Sequence, residues 1–174
     1  MIRPATLEDG KAIFDMIHSY YRETIDKTGY DFFTWDDEKA AIFLGNLLWN
    51  KDGLNFITEK NEGIILGHTA EIWFGHGLVA KPAGLYVKPE HRNGLIARAL
   101  LRRFEREAKA RGAVMIMWEF EIGLSDNRMI SGLMENLGYE YQGPIYKKVF
   151  GGKNHAIHHP IYPVDSGRGG AAFK

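Results

Sequence analysis

Leu85-Tyr86-Val87-Lys88-Pro89-Glu90-His91-Arg92-Asn93-Gly94-Leu95-Ile96-Ala97-Arg98 is the stretch that decides the reading of this 174-residue chain. Ala83 to Lys88 predicts a short strand, stopped at Pro89 because proline has no donor for the ladder. Gly94 to Arg111 predicts the clearest helix, with Leu95, Ile96, Ala99, Leu100, Phe104 and Ala108 as one apolar stripe facing the core and Gly112 as its stop. A strand feeding a tight loop and a helix start leaves several backbone N–H groups unpaired and pointing one way, with the positive end of the helix dipole behind them. Such a corner binds phosphate. Gly94 and Ala97 let a pyrophosphate approach the backbone closely, and Arg92 and Arg98 add positive charge.

Upstream, Ile2-Arg3 predicts a first short strand, and Thr6 or Asp9 caps a helix in which Ile13, Phe14, Met16, Ile17 and Tyr20 recur at helical spacing. A loop is expected from about Thr24 to Trp35, rich in aromatic residues (Tyr30, Phe32, Phe33, Trp35) interleaved with Asp26 and Asp31. Asp36 or Asp37 then opens a second helix through Leu48. Leu54 to Lys60 and Ile64 to Phe74 read as a hairpin about Asn61-Glu62-Gly63. Downstream, Ala113 to Glu121 reads as a strand with Val114, Ile116, Trp118 and Phe120 on one face and Met115, Met117, Glu119 and Glu121 on the other. A last helix capped by Asp126 or Asn127 ends at Leu137-Gly138, and Tyr139 to Phe150 returns as one or two strands. The plan is α/β with mixed strand pairing. From Gly151 the periodicity disappears, and five glycines, two prolines and three histidines in 24 residues predict a tail over 151–174 behind a domain over 1–150.

Composition bounds the function. Apolar residues at 45% and aromatic residues at 13% suffice for a real core, and the length fits one domain. Lys plus Arg equals Asp plus Glu at 22 each, which disfavours a nucleic-acid partner. With no cysteine there is no disulfide, zinc–thiolate site or thiol nucleophile. The polar start predicts no secretory leader, and no apolar run approaches the roughly 18 residues that span a bilayer, so a cytoplasmic protein with no membrane partner is expected. His155, His158 and His159 lack an accompanying carboxylate pattern, so no metal site is expected.

The 85–98 stretch resembles the acetyl-CoA loop of the GCN5-related N-acetyltransferase (GNAT) family: Arg or Gln, two residues, Gly, one residue, then Gly or Ala. Arg92 and Ala97 match, whereas Leu95 stands where glycine is usual and Gly94 precedes it by one place. A second block, Asn127 to Gly138-Tyr139, resembles the family's last helix, and Ile2-Arg3-Pro4-Ala5-Thr6 with Glu8-Asp9 is similar to its opening. The Leu95 variant and Gly143-Pro144-Ile145-Tyr146-Lys147-Lys148 look most like members encoded by bacteriophages and prophages.

The resemblance implies a mixed, mostly antiparallel central sheet with helices on both faces and a splayed acetyl-CoA groove. It implies an N-acetyltransferase that moves an acetyl group from acetyl-CoA to a primary amine of a small molecule or a protein. Leu85, Tyr86 and Val87 would offer backbone groups to the pantetheine arm, and Asn93, Gly94, Leu95, Ile96, Ala97 and Arg98, with Arg92, would hold the pyrophosphate. The Leu95 side chain is expected to turn into the core, and Asn127 to lie beside the thiol. A strand amide would stabilise the oxyanion that develops on attack.

Many members carry a tyrosine donor where this chain has Met134, and others a glutamate base where it has Lys81. Glu119 and Glu121, sharing one strand face, are therefore the candidate bases, with Glu71 as a third and Tyr146 as the candidate proton donor. Solvent-facing carboxylates are the simpler reading of Glu119 and Glu121. A fold that has lost catalysis and serves as a phage structural or interaction module is the alternative. The apolar residues of the tail, Ile157, Ile161, Tyr162 and Phe173, suit docking on a second protomer, so a homodimer is expected.

Overall fold

The computed structural model describes residues 1–28, 34–72, 75–92, 94–118 and 127–140. Among these residues five strands, β1 (Ile2–Pro4), β2 (Phe56–Thr58), β3 (Gly63–Glu71), β4 (Leu78–Val87) and β5 (Ala113–Ile116), lie side by side in chain order. The first four pair antiparallel, and β4 and β5 pair parallel. Helices α1 (Gly10–Thr28) and α2 (Asp37–Trp49) cover one face, and α3 (Leu95–Ala110) with α4 (Asn127–Asn136) contributes to the core on the other. This is a mixed α/β fold with a mostly antiparallel sheet between two helical layers.

Strand alternation builds both cores. On β3, Ile64 and Leu66 pack beneath α1 and α2 with Ile13, Met16 and Leu44, while Ile65 faces Leu100, Leu101 and Phe104 of α3. Phe104 and Ile65 have no exposed surface.

Local chemistry starts and stops these elements. Asp9, in a 3₁₀ turn ahead of α1, accepts the Thr6 backbone N–H at 2.9 Å and both terminal nitrogens of Arg3 at 2.7 Å. Asp36 caps α2 by accepting the Lys39 N–H at 3.0 Å. Between β2 and β3, Asn61 takes a left-handed φ of 55°, and the Thr58 hydroxyl accepts the N–H groups of Glu62 and Gly63.

Two differences from the sequence reading matter. Helix α1 runs to Thr28, past the loop start expected at Thr24, because its inner face continues to pack through Tyr20 and the buried Thr24. Strand β4 begins at Leu78 rather than Ala83 and has Pro82 inside it. Opposite Leu66 stands Gly84 and opposite Gly67 stands Pro82, so Ala83 is an extra residue, and this bulge accommodates the missing proline donor. Gly67 is required there: a Cβ would come within 2.6 Å of the Lys81 carbonyl and 2.8 Å of Phe104.

Strand β5 covers 113–116, shorter than the expected 113–121, whose last three residues lie outside the described part; so do Trp73, Phe74 and residues 141–150 of the strands expected over Tyr139 to Phe150, while Tyr139 and Glu140 lie in no strand. Val114 is 74% exposed. The tail, 151–174, also lies outside the described residues.

Candidate functional site

The parallel ladder between β4 and β5 is short. It pairs Leu78 with Ala113, Val79 with Met115 and Ala80 with Ile116, and ends where the Met117 N–H donates to the Ala80 carbonyl at 3.0 Å. From Lys81 to Val87, β4 pairs with β3 on one side and has no ladder partner on the other among the described residues. That free edge leads into the corner at the start of α3.

The corner is built by backbone geometry. A 3₁₀ turn over Pro89–His91 follows β4, and Lys88 is tied back to the β2–β3 turn by its N–H donating to the Glu62 carbonyl at 2.9 Å. Gly94, at φ 81°, adopts the left-handed conformation that lets the chain swing into α3, and its carbonyl accepts the Arg98 N–H at 3.1 Å. A Cβ on Gly94 would meet nothing within 4 Å, so the space in front of the helix start is open. The amides of Ile96 and Ala97 precede the first intrahelical bond, which the Arg98 N–H makes.

Among the residues the sequence nominated, Tyr86 is buried beneath α1, and Val87 is buried on the α3 side with Leu85 packed half-buried beside it. Their backbones therefore form the free edge while their side chains anchor it. Ile96 and Ala97 are half-buried against the α3 core, and Arg98 is exposed.

Leu95 contradicts its expectation: it is 70% exposed instead of turned into the core. At about 100° per residue it lies roughly 170° around α3 from the centre of the stripe formed by Leu100, Leu101, Phe104 and Ala108, and Ala99 is outward for the same reason. Leu101, which the sequence reading left off the stripe, belongs on it.

Arg92 is engaged by protein rather than held free for a ligand. Its two terminal nitrogens donate to the carboxylate of Glu23 on α1 at 2.8 and 2.9 Å, and its Nε donates to the Val87 carbonyl at 2.7 Å. The guanidinium lies 5.3 Å from the centre of the Tyr86 ring, and the Tyr86 hydroxyl donates to Glu23 at 2.8 Å. Burial, and then Glu23, push the Tyr86 hydroxyl up to about 12, and the Glu23 bond raises Arg92 further above its ordinary value. Glu23 escaped the sequence reading because its partner lies 69 residues away and the helix was expected to fray one residue later.

Asn127 is the first residue of α4. Met134 is buried in the α3-side core, and Lys81 is exposed on β4 opposite His68. Glu71 is exposed at the end of β3. Asn93, Glu119, Glu121 and Tyr146 lie outside the described residues. From the aromatic stretch, Trp35 is described: it meets Phe14, His18 and Tyr21 of α1 at centroid distances of 5.7, 5.0 and 5.1 Å. Its indole N–H donates to Asp37 at 2.6 Å. Asp36 and Asp37 are thus a helix cap and an indole acceptor.

A cavity of about 540 Å³ opens on another flank of α3, between Met1, Ile2, Arg102 and Arg106, and reaches the corner at Leu95 and Ile96. No helix among the described residues is long and apolar enough to cross a membrane.

The sequence profile of the acetyltransferase (GNAT) family matches residues 11–139, a span that holds the free β4 edge, the left-handed corner and α4. The chain belongs to this family. It is an acetyl-CoA-dependent acyltransferase of the GNAT type. Solved structures carry the same fold at low identity. A mutant of the BH1408 protein from Bacillus halodurans superimposes with a TM-score of 0.69 at 16% identity, covering 86% of this chain and 99% of that one. The aminoglycoside antibiotic 6'-N-acetyltransferase AAC(6')-IG from Acinetobacter haemolyticus gives 0.63 at 17%, covering 89% and 99%. The aminoglycoside N-acetyltransferase AAC(6')-Iy, solved in complex with CoA, gives 0.64 at 15%, covering 85% and 93%. The GNAT fold of this acetyltransferase is therefore present across nearly the whole length of those proteins.

Proposed function

We propose that this acetyltransferase binds acetyl-CoA along the free edge of β4 and acetylates a primary amine of a small molecule or a protein. The carrying observation is the continuity of a strand edge, Lys81 to Val87, that pairs with no strand among the described residues, with an open helix start at a left-handed Gly94. The edge offers backbone donors and acceptors to the amide-bearing pantetheine arm. The backbone amides of Gly94, Ile96 and Ala97, with Asn93 before them, offer donors to the pyrophosphate, helped by the α3 dipole and the exposed Arg98 side chain. Bound there, acetyl-CoA supplies a thioester carbonyl open to attack by an amine.

A β4 N–H donates to the oxygen that becomes negative as the amine nitrogen adds to the carbonyl carbon. Glu119 or Glu121 takes the ammonium proton through water, which frees the attacking lone pair. Tyr146 hands a proton to the sulfur as the carbon–sulfur bond breaks and regains one from the added nitrogen as it becomes the amide, and Asn127 lies beside that sulfur. Met134, packed in the core, and Lys81 leave these roles to other groups. The described aromatic cluster at Trp35, on α1 and the entry to α2, is the candidate acceptor wall, since rings suit an organic amine.

Residues 1–150 form the catalytic domain of a cytoplasmic enzyme, and 151–174 is a tail that packs on a second protomer. The Leu95 variant of the loop is what likens the chain to phage and prophage members.

Calorimetric titration with acetyl-CoA tests the reading without knowledge of the acceptor. Saturable one-site binding supports it. Absence of heat at millimolar CoA, or a complex with the pyrophosphate away from residues 93–98, overturns it.

A further inference from the structure

We infer that Glu23 is a positioning residue for acetyl-CoA: it locks Arg92 to α1 as a strut that holds the corner open, and Arg92 does not itself grip the phosphates. This rests on the cofactor placement proposed above.

The strut has four bonds. Glu23 accepts two from Arg92 and one from the Tyr86 hydroxyl, and Arg92 Nε donates to the Val87 carbonyl. These join the last third of α1 to two points 63 or more residues on, the end of β4 and Arg92, two places before Gly94. The fork geometry uses the edge of the guanidinium, and its central carbon lies over the Tyr86 ring at 5.3 Å, so the ring packs against the group that the fork holds. A phosphate would have to displace a bidentate carboxylate to reach the nitrogens that Glu23 now occupies.

The backbone at Val87 is where the free edge ends, and Arg92 immediately precedes the phosphate-facing amides. Clamping Arg92 to Val87 therefore sets the distance between the pantetheine edge and the pyrophosphate corner. A loop held in its binding geometry before the ligand arrives loses less freedom on binding. The Tyr20 and Tyr86 rings, edge to face at 6.2 Å, continue the contact between α1 and β4 beside the clamp.

The two roles open to Arg92 differ in sign. If it is a strut, Glu23→Gln loosens the corner and CoA binds more weakly. If it is a phosphate ligand held in reserve, the same change releases it and CoA binds more tightly.

The test is calorimetric titration of the full chain and its Glu23→Gln variant with CoA, followed by steady-state kinetics. The expected result is a Kd raised at least fivefold, with KM for acetyl-CoA raised in parallel and kcat within twofold. S-acetylpantetheine, which lacks the phosphates, should show an unchanged KM, a distinction that general destabilisation would not produce. Glu23→Asp, which keeps the charge but withdraws it by one methylene, should act in the same direction and serves if the glutamine variant fails to fold. An unchanged or lowered Kd in the folded variant overturns the strut. Failure of the unmodified protein to bind CoA overturns the cofactor placement instead, and the strut with it.

Discussion

Asp9→Asn is the substitution whose effect can be worked most fully from the structure. Asp9 is nearly buried, with its side chain 10% exposed, and receives two bonds from Arg3 at 2.7 Å and one from the Thr6 N–H at 2.9 Å. The Arg3 bonds, with the Thr6 N–H, hold its carboxyl down at about 2 against the cost of burial. At about 1.4 kcal/mol per tenfold, a carboxyl displaced that far from its unfolded value near 4 would contribute roughly 2.5 kcal/mol at neutral pH. Arg3 is 39% exposed, so solvent screens part of this, and a loss of about 1–2 kcal/mol is expected for the isosteric amide. The sign follows from the depressed value: the contribution is complete above the unfolded pKa and disappears as pH falls through the folded one. At pH 2.5 roughly a third should remain. Urea unfolding of both proteins at pH 7, 4 and 2.5 measures the gap directly. Equal midpoints at pH 7, or a gap that stays constant down to pH 2.5, would refute the assignment of this stability to the Arg3–Asp9 charge pair.

Gly94→Ala should cost about 1–2 kcal/mol in a thermal melt, because its φ of 81° is strained for any residue with a Cβ. Gly94→Glu should melt near the alanine variant yet bind CoA at least tenfold more weakly than it, since only the glutamate places negative charge before the α3 amides; equal binding by the two would place the pyrophosphate elsewhere. Met134→Tyr should lower stability by about 1–3 kcal/mol, since the larger side chain must enter the α3-side core, and an unchanged melting temperature would show that Met134 is not packed there. Truncation after Phe150 should halve the mass seen by light scattering if 151–174 joins two protomers, and an unchanged mass removes that role from the tail.

Most of the fold could be read locally. Hydrophobic spacing placed α1 and α3, capping residues placed the starts of α2 and α4, and Asp36 capped α2 as a short polar residue ahead of an apolar run should. The hairpin turn at 61–63 and the corner at Gly94 were legible because a left-handed φ selects a short list of residue types. Leu95 was legible too, had its angle on the helix been followed: its position alone puts it opposite Leu100 and Phe104. These features depend on one residue and its near neighbours, so they are written in order along the chain.

What the tertiary structure decided depends on partners far apart in sequence. Pro82 reads as a strand breaker until β3 supplies the bulge that absorbs it, and Gly67 reads as a weak strand residue until Lys81 and Phe104 close on it. The early end of the β4–β5 ladder is a relation between two strands, and neither strand's composition encodes it. Arg92 matched a motif and so was read as a ligand group; the fold instead gives its donors to Glu23 and Val87. A side chain's type sets which bonds it can make, and only the packed chain sets which partner is near enough to make them.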